Sequence, residues 1–558
     1  MSIIYFVAAF IIATTAIGYK LYERGYLPNY LSFDGPFILI HSRLGFGYVE
    51  KIAEYKRFWR TTAWGGVLFA LIGMLLGFIG IVTSAASVLL SPETTQTTNP
   101  QNYLAIPGVN DFLPLSVGIE IAIALLVGAV LHEAGHAILC RVEDIELEST
   151  GIVFLSLIPM GAFVEPDEAS KNLATRLGRV RMAAAGILQN LFLTAGSILL
   201  VVLITSMMIV PASGAAINSV YDDSPADNAD ITGNQLIVSA NGQEINSNSD
   251  LQNYLESTDE KEISVQTKSG ETATISRSLF ITGVQSEMVP VGKTITSVNN
   301  EEAYTREDFQ EIARDGGEFM NLTIEGQSYE IPAGVQVQLQ NGNLGYVTQV
   351  DGERVVSASD ISNSKLSNSE SITFYTSTDG EWVKNTGETT DIQSVDSGVA
   401  GIIISETGLT YYPTEQYLGA LQFDSAVVNE IGFMGVLLLW FMLPLATLLP
   451  GFTANFPGFS SELSQFFTVT TGPENVVFFI ATTFFWMAWM NFNLAFFNSL
   501  PIWMLDGHHI LKDLIYEADE RLDERFTAIF EAIYYGIPFL ALLALVVIIA
   551  APVLVEVL

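Results

Sequence analysis

Cationic side chains are scarce in this sequence. Lysine and arginine together number 24 against 60 aspartates and glutamates, a formal net charge of −36 over 558 residues. Phosphate binding needs clustered cations, so nucleic acid is excluded as a partner. Cysteine is nearly absent. Cys140 alone excludes an internal disulfide and any zinc site built from several thiolates, and it reads as a small apolar core residue. The loops 91–113 and 451–474 contain no lysine or arginine, which suits the outer side of a membrane. What is abundant is apolar: 49% of residues are hydrophobic and the mean hydropathy is +0.38. Length and apolar excess together predict a polytopic membrane protein of more than one domain.

Within the run Ile121 to Arg141 lies one polar insertion, His132-Glu133-Ala134-Gly135-His136. Residues four apart share a helix face, so both histidines can reach one metal ion. Glu133 is then placed to act on a metal-bound water as general base. Ionisable groups inside an apolar segment are expensive and therefore functional candidates.

The apolar blocks set a topology. Residues 3–17 read as an uncleaved first span, and the basic loop from Lys20 to Arg60 is cytoplasmic by the positive-inside rule. His41 in that loop receives no role. Spans follow at 63–90, 115–141 and 182–211, placing the histidines near the cytoplasmic end. Gly151–Glu165 is too short to cross and reads as an extended hairpin, an edge to which an extended substrate could pair. Asn190 is a polar group within the fourth span that wants a partner. The stretch 431–449 carries Pro444; a full crossing would turn Asp506 away from the histidines, so it reads as re-entrant or interfacial. Spans at 475–498 and 530–553 complete the chain. The catalytic residues then lie near the cytoplasmic side of the cell membrane.

Between 212 and 427 the sequence turns polar and acidic, an extracytoplasmic insert. It repeats a strand, turn pair and short strand at Val238–Ile245, Ile295–Glu302 and Val347–Val355, each followed by a helix-capping residue. The first copy, with Ser224-Pro-Ala226 before it, resembles PDZ domains, which bind peptide ends by strand addition.

Two histidines leave a catalytic zinc short of a ligand. Asp506, in Asn498-Ser-Leu-Pro-Ile-Trp-Met-Leu-Asp-Gly507 at a break in an apolar helix, is the favoured third, with His508 and His509 as alternatives.

With His132-Glu133-Ala-Gly-His136 and Asn498 to Gly507 in this order, the sequence resembles the site-2 proteases, intramembrane zinc metalloproteases. Ala185-Gly186 with Asn190 and Ile158–Val164 are similar to the sterol-regulatory-type branch, and the acidic bias resembles proteins of salt-loving archaea. The resemblance implies Zn2+ on His132, His136 and Asp506, with Glu133 as base. It also implies substrate backbone or oxyanion contacts at Asn190 and Asn498. Substrates would be single-span membrane proteins embedded in lipid, cut in regulated intramembrane proteolysis after an upstream site-1-type protease has trimmed them. Trp503, Met504 and most of the insert depart from the family pattern. The rivals are a membrane metal transporter, which would need further intramembrane carboxylates, and a non-catalytic membrane binding scaffold, which would have lost one of the motif residues.

The expected fold is thus a polytopic α-helical membrane protein with an inserted extracytoplasmic β-rich, PDZ-like α+β region. Its parts are 1–113 (two spans), 114–211 (first catalytic half), 212–427 (insert), 428–474 (re-entrant or interfacial), 475–515 (second catalytic half) and 516–558 (last span).

Overall fold

A computed structural model describes residues 2–28, 30–43, 45–90, 106–110, 113–156, 158–284, 289–361, 371–378, 381–395, 401–448, 454–460, 462–522 and 526–557. Most of the cation-free loop 91–113 lies outside them, as do 451–453 and 461 of the second such loop. Long helices form where the apolar blocks stand: α1 (Ser2–Glu23), α2 (Lys56–Leu90), α3 (Gly118–Val142), α4 (Arg176–Met208), α5 (Ser425–Met442), α6 (Glu474–Asn498) and α8 (Thr527–Val557), with the polar α7 (Asp506–Arg521) between the last two. Among the described residues six helical segments are long and apolar enough to cross a membrane, those of α2, α3, α4, α5, α6 and α8. The chain is a multi-pass membrane protein.

Helix α4 is the hub, with α2, α3, α6 and α7 packed on it and α8 on α2. Small residues make this possible. A Cβ on Gly66 would lie 2.7 Å from the Ala184 carbonyl oxygen, and one on Gly135 2.7 Å from that of Ala185. Without a hydrophobic drive between helices in lipid, such backbone approach supplies the packing contact. At one end, Glu143 accepts from both Arg60 and Arg181, and Arg179 pairs with Asp513 at 2.7 Å. These ion pairs tie α2, α3, α4 and α7 together. At the other end the fourth block stops short of its expected limit: Ile209–Pro211 leaves the helix and pairs as a strand with Phe467–Val469.

The course of 425–469 is set by aromatic packing. Helix α5 bends at Gly432 (φ 76°) and descends until Phe441 stacks on Phe492, centroids 4.1 Å apart. A 3-10 turn, Leu443–Leu448, follows, and Phe456 N–H returns to Leu443 O at 2.9 Å. The chain then climbs back along α6: Trp486 donates to Pro457 O, and Phe459 stacks on Phe478 at 5.4 Å. Entry and exit lie at the same end of α6.

A four-stranded antiparallel sheet stands beside α3, in the order β1 (Leu31–Asp34), β2 (Phe37–Ser42), β3 (Leu147–Leu155), β4 (Ile158–Pro166). The hairpin expected at 151–165 is β3–β4. The preceding basic loop, which gave no sign of a sheet, supplies the other two strands. One side chain from each strand forms a polar ladder: Ser32 Oγ to His41 Nε2 at 2.6 Å, His41 Nδ1 to Ser149 Oγ at 2.9 Å, Ser149 to Glu165 at 2.6 Å. Helix α1 packs across this sheet: its Tyr19 and Tyr22 rings meet Phe33 of β1, and Thr14 bonds Ser156 just after β3. Edge β4 faces α3.

The insert is three modules, one inside another. Each repeat forms a hairpin whose turn pair has positive φ, as Asn-Gly, Asn-Asn and Asp-Gly pairs favour: Asn241-Gly242, Asn299-Asn300, Asp351-Gly352. Helices Asn248–Ser257 and Arg306–Asp315 and the turn Ala358–Asp360 follow, capped by Ser247, Thr305 and Ser357. Each sheet is closed by a strand from far downstream: Leu409–Tyr411 on Ala215–Val220, Ile402–Ser405 on Leu279–Val284, Ile392–Val395 on Val335–Leu339. The closing strands come in reverse order, so each later module is inserted within the one before. The first shares a core with the helices, where Ala216, Leu236, Tyr412 and Tyr417 pack with Phe456 and Phe466.

Candidate metal centre

His132 and His136 stand one turn apart on α3 and turn both Nε2 atoms to one point, 3.2 Å apart. Asp506 opens α7 and meets them, Oδ2 3.2 Å from His132 Nε2 and Oδ1 3.4 Å from His136 Nε2. The break before α7 delivers it. Ser499–Leu505 folds so tightly over Gly507 that a Cβ there would overlap the Ser499 and Leu500 carbonyls. That accounts for glycine after the aspartate.

The three residues fit a metal ion. Ligands about 2.0 Å from a tetrahedral centre lie about 3.3 Å apart, the spacing seen. Asp506 Oδ2 is buried with no hydrogen-bond partner. A Cβ on Gly186 of α4 would overlap His132 Nε2 and lie 2.6 Å from His136 Nε2, so glycine leaves the space they converge on. Among the described residues this is the group of histidine, cysteine and acidic side chains whose ligand atoms converge, within 4.8 Å of one another.

Around it, His136 Nδ1 meets the Met182 carbonyl at 2.9 Å, and Asn190 Nδ2 lies 3.2 Å from His132 Nδ1. Glu133 stands beside them, and Val164 of β4 lines the same cavity. A cavity of about 660 Å³ opens from Glu133, His136 and Asp506 past Val164 to Lys171 and Lys512.

The other candidates separate. Asn498 closes α6, half-buried, and makes no described hydrogen bond to the histidines. His508 is buried against the Tyr534 ring at 5.2 Å, and His509 lines the cavity; neither joins the converging group. Trp503 and Met504 are exposed, Met504 at 92%. Sequence reasoning gave no role to Met182, read Val164 only as part of the Gly151–Glu165 edge, and named Gly186 only among the residues of the family resemblance. A hint existed in the spacing of Met182, Gly186 and Asn190, four residues apart on one face of α4.

The family model for peptidase family M50 matches residues 120–545. An uncharacterized protein of Methanocaldococcus jannaschii is 30% identical over 173 residues, 30% of this chain and 44% of the relative. The chain thus spans less than half the length of the curated relative it matches. The family match covers both halves of the converging triad and well over half the sequence, and the chain belongs to peptidase family M50, a family of metalloproteases.

Proposed function

We propose that this chain is an intramembrane zinc metalloendopeptidase that hydrolyses peptide bonds within transmembrane helices of single-span substrates. The observation that carries the reading is the convergence of His132, His136 and Asp506 on apolar helices, with Glu133 beside them. Zinc held by these three would polarise the scissile carbonyl and lower the pKa of water. Glu133 takes the proton of the attacking water and passes it to the nitrogen of the departing amine as the C–N bond breaks. A helix hides its carbonyls, so the substrate must enter extended. Edge β4 supports that step: it faces α3, and Val164 on it lines the same cavity as Glu133.

The basic residues around Lys171 and Lys512 support a cytoplasmic position for the centre, with the acidic modules outside. There the PDZ-like modules exclude substrates with bulky outer domains or bind freshly cut ends, as in regulated intramembrane proteolysis downstream of a site-1-type protease.

The test is cleavage of tagged single-span substrates by purified protein in detergent, wild type beside Glu133→Gln, with zinc quantified in both. Cleavage by wild type alone with zinc in both is expected. A folded wild-type preparation without stoichiometric metal would sink the reading.

A further inference from the structure

Asn190 was expected at the substrate or the oxyanion, yet its carboxamide lies against a histidine. The side chain is fully buried on α4, Nδ2 is 3.2 Å from His132 Nδ1, and Oδ1 has no partner. His132 turns Nε2 to Asp506 and His136. A metal on Nε2 uses that lone pair, so Nδ1 must carry the proton and needs an acceptor. An amide nitrogen cannot accept; an amide oxygen can. The two ends of a carboxamide have the same shape and are assigned by their hydrogen bonds. Turning the group by 180° sets Oδ1 on the Nδ1 proton. His136 already has such an acceptor in the Met182 carbonyl at 2.9 Å.

We propose that Asn190 is a positioning residue for the metal ligand His132, its oxygen accepting the Nδ1 proton, and not a substrate contact. The inference rests on the metal reading of the site. Met182, Gly186 and Asn190 then act as one stripe of α4: two acceptors fix the rings and the glycine between them leaves room. Such partners hold a ligand's tautomer and orientation, and their loss weakens metal binding about 10–100-fold.

The experiment is a chelator competition for zinc on full-length protein in detergent, comparing wild type, Asn190→Leu and Asn190→Asp. Leucine keeps the volume without an acceptor; aspartate keeps an oxygen. Weaker zinc binding in Asn190→Leu by that factor, recovered in Asn190→Asp, is expected. Cobalt-substituted Asn190→Asp should keep the wild-type absorption spectrum, and Asn190→Leu should alter it, which a merely structural role would not do. Unchanged affinity in Asn190→Leu, or equal loss in both variants, overturns the proposal and leaves the protease reading standing. A wild type that takes up no metal overturns both.

Discussion

Gly186 makes a demand at the scale of one atom. Its hydrogen occupies the position from which a methyl group would overlap both histidine rings. Gly186→Ala should therefore weaken zinc binding on the order of tenfold or more, as loss of a ligand's support does, while the neighbouring Ala185→Gly leaves it unchanged; zinc retained after dialysis against a chelator measures both. The positions that come together at this scale were legible where spacing alone defines them. His132, Glu133 and His136 follow from helical period, and Asp506 from a charge at a broken apolar helix. Asn190 was visible as a polar residue in a span. Its partner was not, because His132 lies 58 positions away and only the packing of α4 on α3 brings them together.

At the scale of elements, the β4 edge of the sheet meets the site. Ala162 and Val164 have the same parity on β4, opposite Ile152 and Thr150, so their N–H groups point the same way, away from β3. Ala162→Pro removes one outward donor and no bond to β3. If substrate pairs there, kcat/KM should fall about fivefold, the worth of one hydrogen bond near 1 kcal/mol, with zinc content unchanged. Equal kcat/KM would remove β4 as the docking edge. The Ser32–His41–Ser149–Glu165 ladder fixes the register of all four strands, and a slip of one residue would turn Val164 from the site. His41→Phe keeps an aromatic ring on Phe163, 5.1 Å away, but orphans Ser32. A loss of about 1–3 kcal/mol is expected, read as a lower melting temperature in detergent. The hairpin β3–β4 could be read from its glycine and proline. The pairing of β2 with β3 could not, since the strands are joined by bonds between residues 108 positions apart.

For the whole molecule, the insert is a question of nesting. Local signals sufficed for three hairpins, because a positive-φ pair and a capping residue are properties of a few adjacent positions. The closing strands carry no such signal. Leu409–Tyr411 completes a sheet begun at Ala215, and nothing in three residues announces a partner so distant. Nesting has a mechanical consequence. Both ends of the second and third modules leave the first at one point, where Ser278 N–H bonds to Glu406 O at 3.2 Å and Arg277 pairs with Glu406. Joining Ser278 to Glu406 by two glycines and removing 279–405 closes a short loop and spares the first module's core against Phe456 and Phe466. The shortened protein should fold, keep its zinc and cleave single-span substrates already trimmed outside at the wild-type rate. Substrates with a large outer domain should change from uncut to cut, if the two distal modules act as the filter. Cleavage assays on both substrate classes decide it: a shortened protein that still refuses the untrimmed class places the filter in the first module or the membrane core.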